Sequence, residues 1–393
     1  MVSSDSQRLT FRTGTHVSGP SAETQSSTQK AKPSRIFIWV KLRLKLLIAL
    51  TVMGLILIYT GIQDQDHNFL EYSQTFQHSY MRSTIDASSV GTECLNLPII
   101  RPHGLSFLNQ KVKSVSSPDG VTPSFKIGTM LGPKVAEHMS SDLVHFQLIN
   151  ELMEDHGSKG GLTFDFGANQ GFFTYYLAAL GMNVHSFEIY EPNFIPLQHG
   201  MYFNSKEIAD RVNLYPLGIG EKVGRFSLSG KDYGGFLKDG NDGAILGVSF
   251  DCFAYHTKLN ISNVAFVKID VEGYEIAALK GAHKSLFSNT SRIGGMLMEV
   301  GPARWKRAQV DLTTGIVEMK KLSTHFRNSY LLIRTSGGHW EGCPPQLVDG
   351  ILVDDKPRVI DNVNMYKVQL DEWKPLLTKM ETKDYDCNFW YIN

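Results

Sequence analysis

Residues Leu162 to Thr174, LTFDFGANQGFFT, constrain this chain more than any other stretch. A run of strand length, Leu162 to Phe166, enters a turn of Gly167, Ala168, Asn169, Gln170 and Gly171, and the apolar stretch FFTYYLAAL continues as a helix. Strand, glycine turn and helix in this order open a nucleotide-binding α/β sheet, whose turn amides and helix N-terminus approach a ligand closely. Gly167 and Gly171 provide positions where a Cβ would block the ligand or forbid the backbone angle. Asp165, at the strand's carboxyl end, is placed to hydrogen-bond the ligand's polar part. A lone Asp-x-Gly turn can serve structure only, so the rest of the chain decides.

From residue 161 onward, apolar runs of strand length alternate with helical ones, which predicts a largely parallel sheet covered on both faces. The runs are Val184 to Ile189, Val212 to Leu217, Val264 to Asp270, Gly295 to Val300 and Tyr330 to Arg334, with a final aromatic strand at Cys387 to Ile392. Between 222 and 249 a Gly-rich polar stretch breaks the alternation and reads as a hairpin and a loop, a place for acceptor binding or a surface insertion. Residues 93–160, with the helical pattern Val144 to Met153, read as a lead-in segment packed on the 161–393 domain.

Glu188 ends the second strand about twenty residues past the turn, where an acid accepts hydrogen bonds from ribose hydroxyls. Asp-x-Gly-x-x-x-Gly lacks the middle glycine that admits a pyrophosphate, and no phosphate-binding P-loop is present. S-adenosylmethionine has no phosphate and suits a turn with nearby carboxylate and amide groups better.

The sequence resembles the FkbM-type family of S-adenosylmethionine-dependent methyltransferases, from about Phe164 to Val300. The resemblance rests on Asp165-Phe-Gly167-Ala168-Asn169-Gln-Gly171-Phe-Phe-Thr174, on Phe187-Glu188, on Asn204 and on Ser249-Phe-Asp251. Most distinctive is Val267-Lys-Ile-Asp270-Val-Glu272-Gly273-Tyr-Glu275, continuing to Leu279-Lys280-Gly281-Ala282. The family commonly has Pro directly after the strand-end glutamate, where this chain has Ile189. The resemblance implies a Rossmann-like class I methyltransferase sheet with flanking helices. It also implies a cofactor held by Asp165, Gly167, Ala168, Asn169, Gly171 and Glu188, with Thr174 near the turn's end.

Methyl transfer is an in-line displacement, so positioning of the acceptor matters, and a hydroxyl acceptor gains from a base. Asp270 and Glu272 lie at the carboxyl end of the fourth strand, where open α/β sheets bind ligands, and point to one side if the strand continues. They are the catalytic candidates, with Glu299 behind them. Two close carboxylates also suit a divalent cation, although no metal is expected here, and Glu272 or Glu275 can simply cap the next helix. His185, inside a strand, reads as structural. His339 and Trp340 in a late Gly-rich loop are placed either to stack on a sugar or to pack.

Residues 1–35 are polar and read as a disordered cytoplasmic tail. Leu46 to Ile62 is free of charge for 17 residues, and with the apolar length from Ile36 it predicts one transmembrane helix at 36–62. Lys41, Arg43 and Lys45, whose charges can snorkel to the headgroups, precede the uncharged run and Asp64 and Asp66 follow it, so the positive-inside bias predicts a type II anchor, a stem at 63–92 and a lumenal domain. Two sequons, Asn260-Ile261-Ser262 and Asn289-Thr290-Ser291, agree with a lumenal location in the Golgi or another secretory compartment. The four cysteines have no C-x-x-C pair, which permits disulfides, Cys343–Cys387 being the expected bridge. Lysine plus arginine and aspartate plus glutamate are both 39, which gives no reason to expect nucleic acid. The sequence therefore predicts a membrane-anchored O-methyltransferase whose partner is a glycan or other hydroxyl-bearing acceptor, the alternatives being a tethered non-catalytic binding protein of the same fold or a methyltransferase acting on a protein or small-molecule amine.

Overall fold

The computed structural model describes Cys94, Val135, Ser140 and residues 112–130, 143–156, 160–229, 236–239, 245–335, 343–352 and 356–393. The expected tail, anchor and stem lie outside the described residues, as do His339 and Trp340. Among the described residues no helix is long and apolar enough to cross a membrane.

A short antiparallel hairpin, β1 (Lys113–Ser116) with β2 (Lys126–Thr129), precedes helix α1 (Leu143–His156). The central unit follows as β3 (Leu162–Phe166), α2 (Phe172–Ala179), β4 (Asn183–Phe187), α3 (Glu191–Phe203), α4 (Lys206–Ala209) and β5 (Val212–Tyr215). All five residues of β3 are buried, as expected of a parallel strand covered on both faces. The chain then leaves the main sheet for β6 (Gly218–Gly220), β7 (Gly224–Ser229), β8 (Phe236–Asp239) and β9 (Ile245–Ser249), which form a separate four-stranded sheet in the order β6-β9-β7-β8.

It returns through α5 (Phe250–Thr257), β10 (Asn263–Ile269), α6 (Glu275–Lys280), β11 (Arg292–Val300), a 3₁₀ turn at Pro302–Ala308 and α7 (Leu312–Ser323). The last elements are β12 (Asn328–Arg334), β13 (Arg358–Ile360), β14 (Val363–Lys367), α8 (Trp373–Lys383) and β15 (Cys387–Ile392).

The main sheet has nine strands in the order β13-β14-β12-β15-β11-β10-β3-β4-β5. From β11 to β5 the pairs are parallel. The other four strands pair antiparallel throughout, so the sheet is mixed rather than largely parallel. The run Val212 to Leu217 is likewise divided: β5 ends at Tyr215, and Gly218 begins the second sheet. Apolar runs show where strands lie but not which sheet or direction they take.

Two apolar layers cover the main sheet. On one face Phe164 and Phe166 pack with Phe250 and Phe253 of α5; on the other, Phe146 and Leu152 of α1 pack with Phe173 and Tyr176 of α2. Strand alternation sends Thr163 and Asp165 toward this second layer. Disulfides join Cys94 to Cys252 and Cys343 to Cys387. The second is the expected bridge.

Candidate active site

The strand sequence moves outward from β3 to β5 and resumes at β10 on the other side of β3. This reversal creates a crevice at the carboxyl ends of the strands, the place where open α/β sheets hold ligands. A cleft opens there, lined among others by Gly167, Asn169, Glu188, Asn193, Asp270 and Glu272. Its volume is about 640 Å³ counting the open mouth. A second, wider groove between Ile351 and the Lys374–Lys383 side of α8 has no carboxylate in its lining.

Beneath the turn runs a polar row. The register aligns Ser186 of β4, Asp165 of β3 and Lys268 of β10 side by side. Thr174 Oγ1 donates to Asp165 Oδ2 at 2.6 Å and lies 2.8 Å from Ser186 Oγ. Lys268 Nζ donates to the Gly167 carbonyl at 2.7 Å and sits 3.2 Å from Asp270 and 3.6 Å from Asp165. Burial pulls the Lys268 ammonium down, but Asp270 and Asp165 more than offset this and hold it above its ordinary value. Burial pushes the Asp165 carboxyl up, against Lys268 and Thr174.

These contacts change the reading of the turn. Asp165 and Thr174 are completely buried and do not line the cleft. They fasten the turn from below. Ala168 and Gly171 are not in the lining either. The turn amides are also committed: Gly167 and Ala168 N–H donate to the Phe187 carbonyl, Gly171 N–H to Ala168, and Asn169 N–H to Glu188 Oε2 at 2.7 Å. Amides paired within the protein offer little to a ligand, so Gly167, Asn169 and Glu188 are the expected cofactor residues that reach the cleft.

Glu188 faces the turn. Its Oε1 accepts from Tyr190 N–H at 2.7 Å, so the carboxylate joins two loops while each oxygen keeps a lone pair for a hydroxyl. Burial pushes its carboxyl up to about 7, with the N–H groups of Tyr190 and Asn169 opposing. A ligand hydroxyl that donates to Glu188 favours the ionised form, so affinity is lost as pH falls through about 7. S-adenosylhomocysteine is therefore expected to bind about tenfold more tightly at about pH 8 than at about pH 6, with proton release on binding. Titration calorimetry in buffers of different ionisation enthalpy reads both. Glu188→Gln should flatten the profile, and a flat profile in the unaltered protein would remove Glu188 from the ligand.

Asp270 and Glu272 do come together, but not by strand alternation. The strand ends at Ile269, and Glu272 sits in a turn at φ 55°. Carboxylate oxygens of Asp270, Glu272 and Glu299 lie within 4.8 Å of one another. Arg304 bridges the group by pairing with Glu272, Glu299 and Asp386. Burial and the nearby Asp270 push the Glu272 carboxyl up, against Arg304. Glu275 does stand in the first turn of α6, the helix-end alternative, where an acid favours the N-terminus. Its Oε1 reaches back to Gly273 N–H at 2.7 Å.

The other motif residues hold the scaffold. Asn204 ties α3 to Lys126 of β2, Ser249 caps α5, and Asp251 accepts from Ser285 and Lys284 N–H. His185 Nδ1 lies 3.0 Å from Tyr215 Oη, and burial pushes its ring down to about 3. It is structural. Sequence reasoning gave no role to Lys268 or Arg304. Lys268 stands in the quoted Val-Lys-Ile-Asp run, where an inward-facing lysine in an otherwise apolar strand was the available signal.

A parallel unit with a cleft at its reversal point, rimmed by a strand-end glutamate, defines an α/β nucleotide-cofactor domain. Residues 247–327 match the family described as "Methyltransferase FkbM domain", so this part of the chain is similar to a methyltransferase domain of that type. The match includes Lys268, Asp270, Glu272 and Glu299, while the glycine turn lies before it. No curated protein matches the chain.

Among solved structures, one similar chain is a precorrin-6y C5,15-methyltransferase from Geobacter metallireducens. It has 8% identity over 63% of this chain and 88% of that one, at TM-score 0.29. Another is an O-methyltransferase from Bacillus cereus in complex with SAH, with 12% identity over 63% and 80% and TM-score 0.31.

Proposed function

We propose that the chain methylates a hydroxyl of a glycan in the lumen of the secretory pathway, anchored there by residues 36–62 in type II orientation. The observation that carries the hydroxyl reading is Asp270. Its Oδ2 pairs with Lys268 at 3.2 Å while its side chain stays 38% exposed at the cleft, so it can take an acceptor's proton. The bound cofactor supplies a methyl group on a positively charged sulfonium. Glu188 orients its ribose, the turn at Gly167 and Asn169 shapes the floor, and Lys268 fixes Asp270.

Three features support the lumenal location. All four cysteines are in disulfides, which persist in oxidising compartments. Asn260 and Asn289 of the sequons are both exposed. The apolar segment has its basic flank on the N-terminal side. A glycan is the acceptor most abundant in hydroxyls along that route.

The test is methyl transfer by the full-length membrane protein. Mass spectrometry of glycans released from cells with and without it should show methylated sugars only with it. Asp270→Asn keeps an acceptor oxygen for Lys268 and is expected to slow transfer about a hundredfold with S-adenosylhomocysteine affinity unchanged. Methylation of an amine instead, or full activity of Asp270→Asn, would contradict the reading.

A further inference from the structure

Asn193, in the first turn of α3, is 2% exposed and lines the cleft, yet its Oδ1 has no hydrogen-bond partner. A buried acceptor left unpaired is costly, so in native proteins such an atom calls for an explanation. The cleft it lines suggests one. The same cleft lining carries apolar side chains, Ile189 on the loop after Glu188 and Leu217 and Ile219 on the segment entering the second sheet. Apolar side chains together with a few convergent polar atoms suit a flat heteroaromatic ring.

We infer that Asn193 reads the adenine of the cofactor, its Oδ1 accepting a hydrogen bond from the exocyclic N6 amine. This rests on the reading of the cleft as the S-adenosylmethionine site. Glu188 takes the ribose hydroxyls because a carboxylate is the stronger acceptor and lies beside the turn. The adenine edge then meets α3. Its amine is the ring's hydrogen-bond donor, and the asparagine amide is the side chain that pairs with adenine's N6 edge in other settings.

The experiment titrates the full chain with S-adenosylhomocysteine and with S-inosylhomocysteine, in which a carbonyl oxygen replaces the amine. The unaltered protein should bind the adenine compound about tenfold or more tightly, because the inosine oxygen would face Oδ1. Asn193→Ala and the isosteric Asn193→Leu should bring the ratio close to one, mainly by weakening the adenine compound. Asn193→Asp keeps an acceptor and should keep the preference.

Asn193→Leu should melt, without ligand, no lower than the unaltered protein, whereas an asparagine needed for structure would show a loss. Retention of the preference by Asn193→Leu, or its loss in Asn193→Asp, overturns the assignment. Failure of the unaltered protein to bind either compound overturns the cofactor reading and this inference together.

Discussion

Lys268→Met is expected to cost about 3–5 kcal/mol of folding stability, the range for breaking a buried ion pair by removing one partner. The lysine is 4% exposed and Asp165 is completely buried, so water cannot replace the lost cation. Methionine fills similar space, so the loss reports charge more than packing. Asp165 would keep its bond from Thr174 but lose its counterion, and the Gly167 carbonyl would lose its donor.

A second variant separates the causes. Asp165→Asn combined with Lys268→Met removes both charges and should recover part of the loss, a coupling that denaturant unfolding of the four proteins measures. The pH dependence has a definite sign. In Lys268→Met the folded-state pKa of Asp165 lies above its unfolded value, so stability is fully present below the unfolded pKa and is lost as pH rises. The deficit against the unaltered protein should therefore shrink toward acid. A deficit independent of pH would mean that the pair contributes no electrostatic stabilisation.

The same lysine shows what the sequence could and could not disclose. The strand–turn–helix unit, Glu188 beside it and β15 were legible because each depends on local pattern: a buried run, glycines at positive φ, an aromatic strand. The roles of Asp165 and Thr174 were not, because whether a turn residue faces the ligand or the sheet depends on the register of β3 with β4 and β10. Lys268 and Arg304 act through partners distant in sequence, Gly167 for one and Glu272 and Asp386 for the other. The antiparallel half of the sheet was hidden for a similar reason. Strand direction is set by connections and neighbours, and β12 and β15 have the same apolar character whichever way they run.

Gly167→Ala is expected to abolish ligand binding and to destabilise the fold well beyond the usual cost of a positive φ. The residue sits at φ +81°, and a Cβ there would lie 1.7 Å from the Asp270 carbonyl oxygen and 2.8 Å from its carbon. Both atoms belong to backbone and cannot swing aside. At that point β3 and β10 are joined by Asp270 N–H to the Phe166 carbonyl and by Lys268 to the Gly167 carbonyl. Relief of the clash therefore parts the two central strands and carries Asp270 away from the cleft. Gly160→Ala is the control, because Gly160 has φ +84° but nothing within 4 Å of its added Cβ. It should show only the left-handed penalty, about 1–2 kcal/mol. Calorimetric melting of the two variants beside titration with S-adenosylhomocysteine gives both readings. Equal losses in the two would mean that the turn and strand are not in the close contact on which this cleft depends.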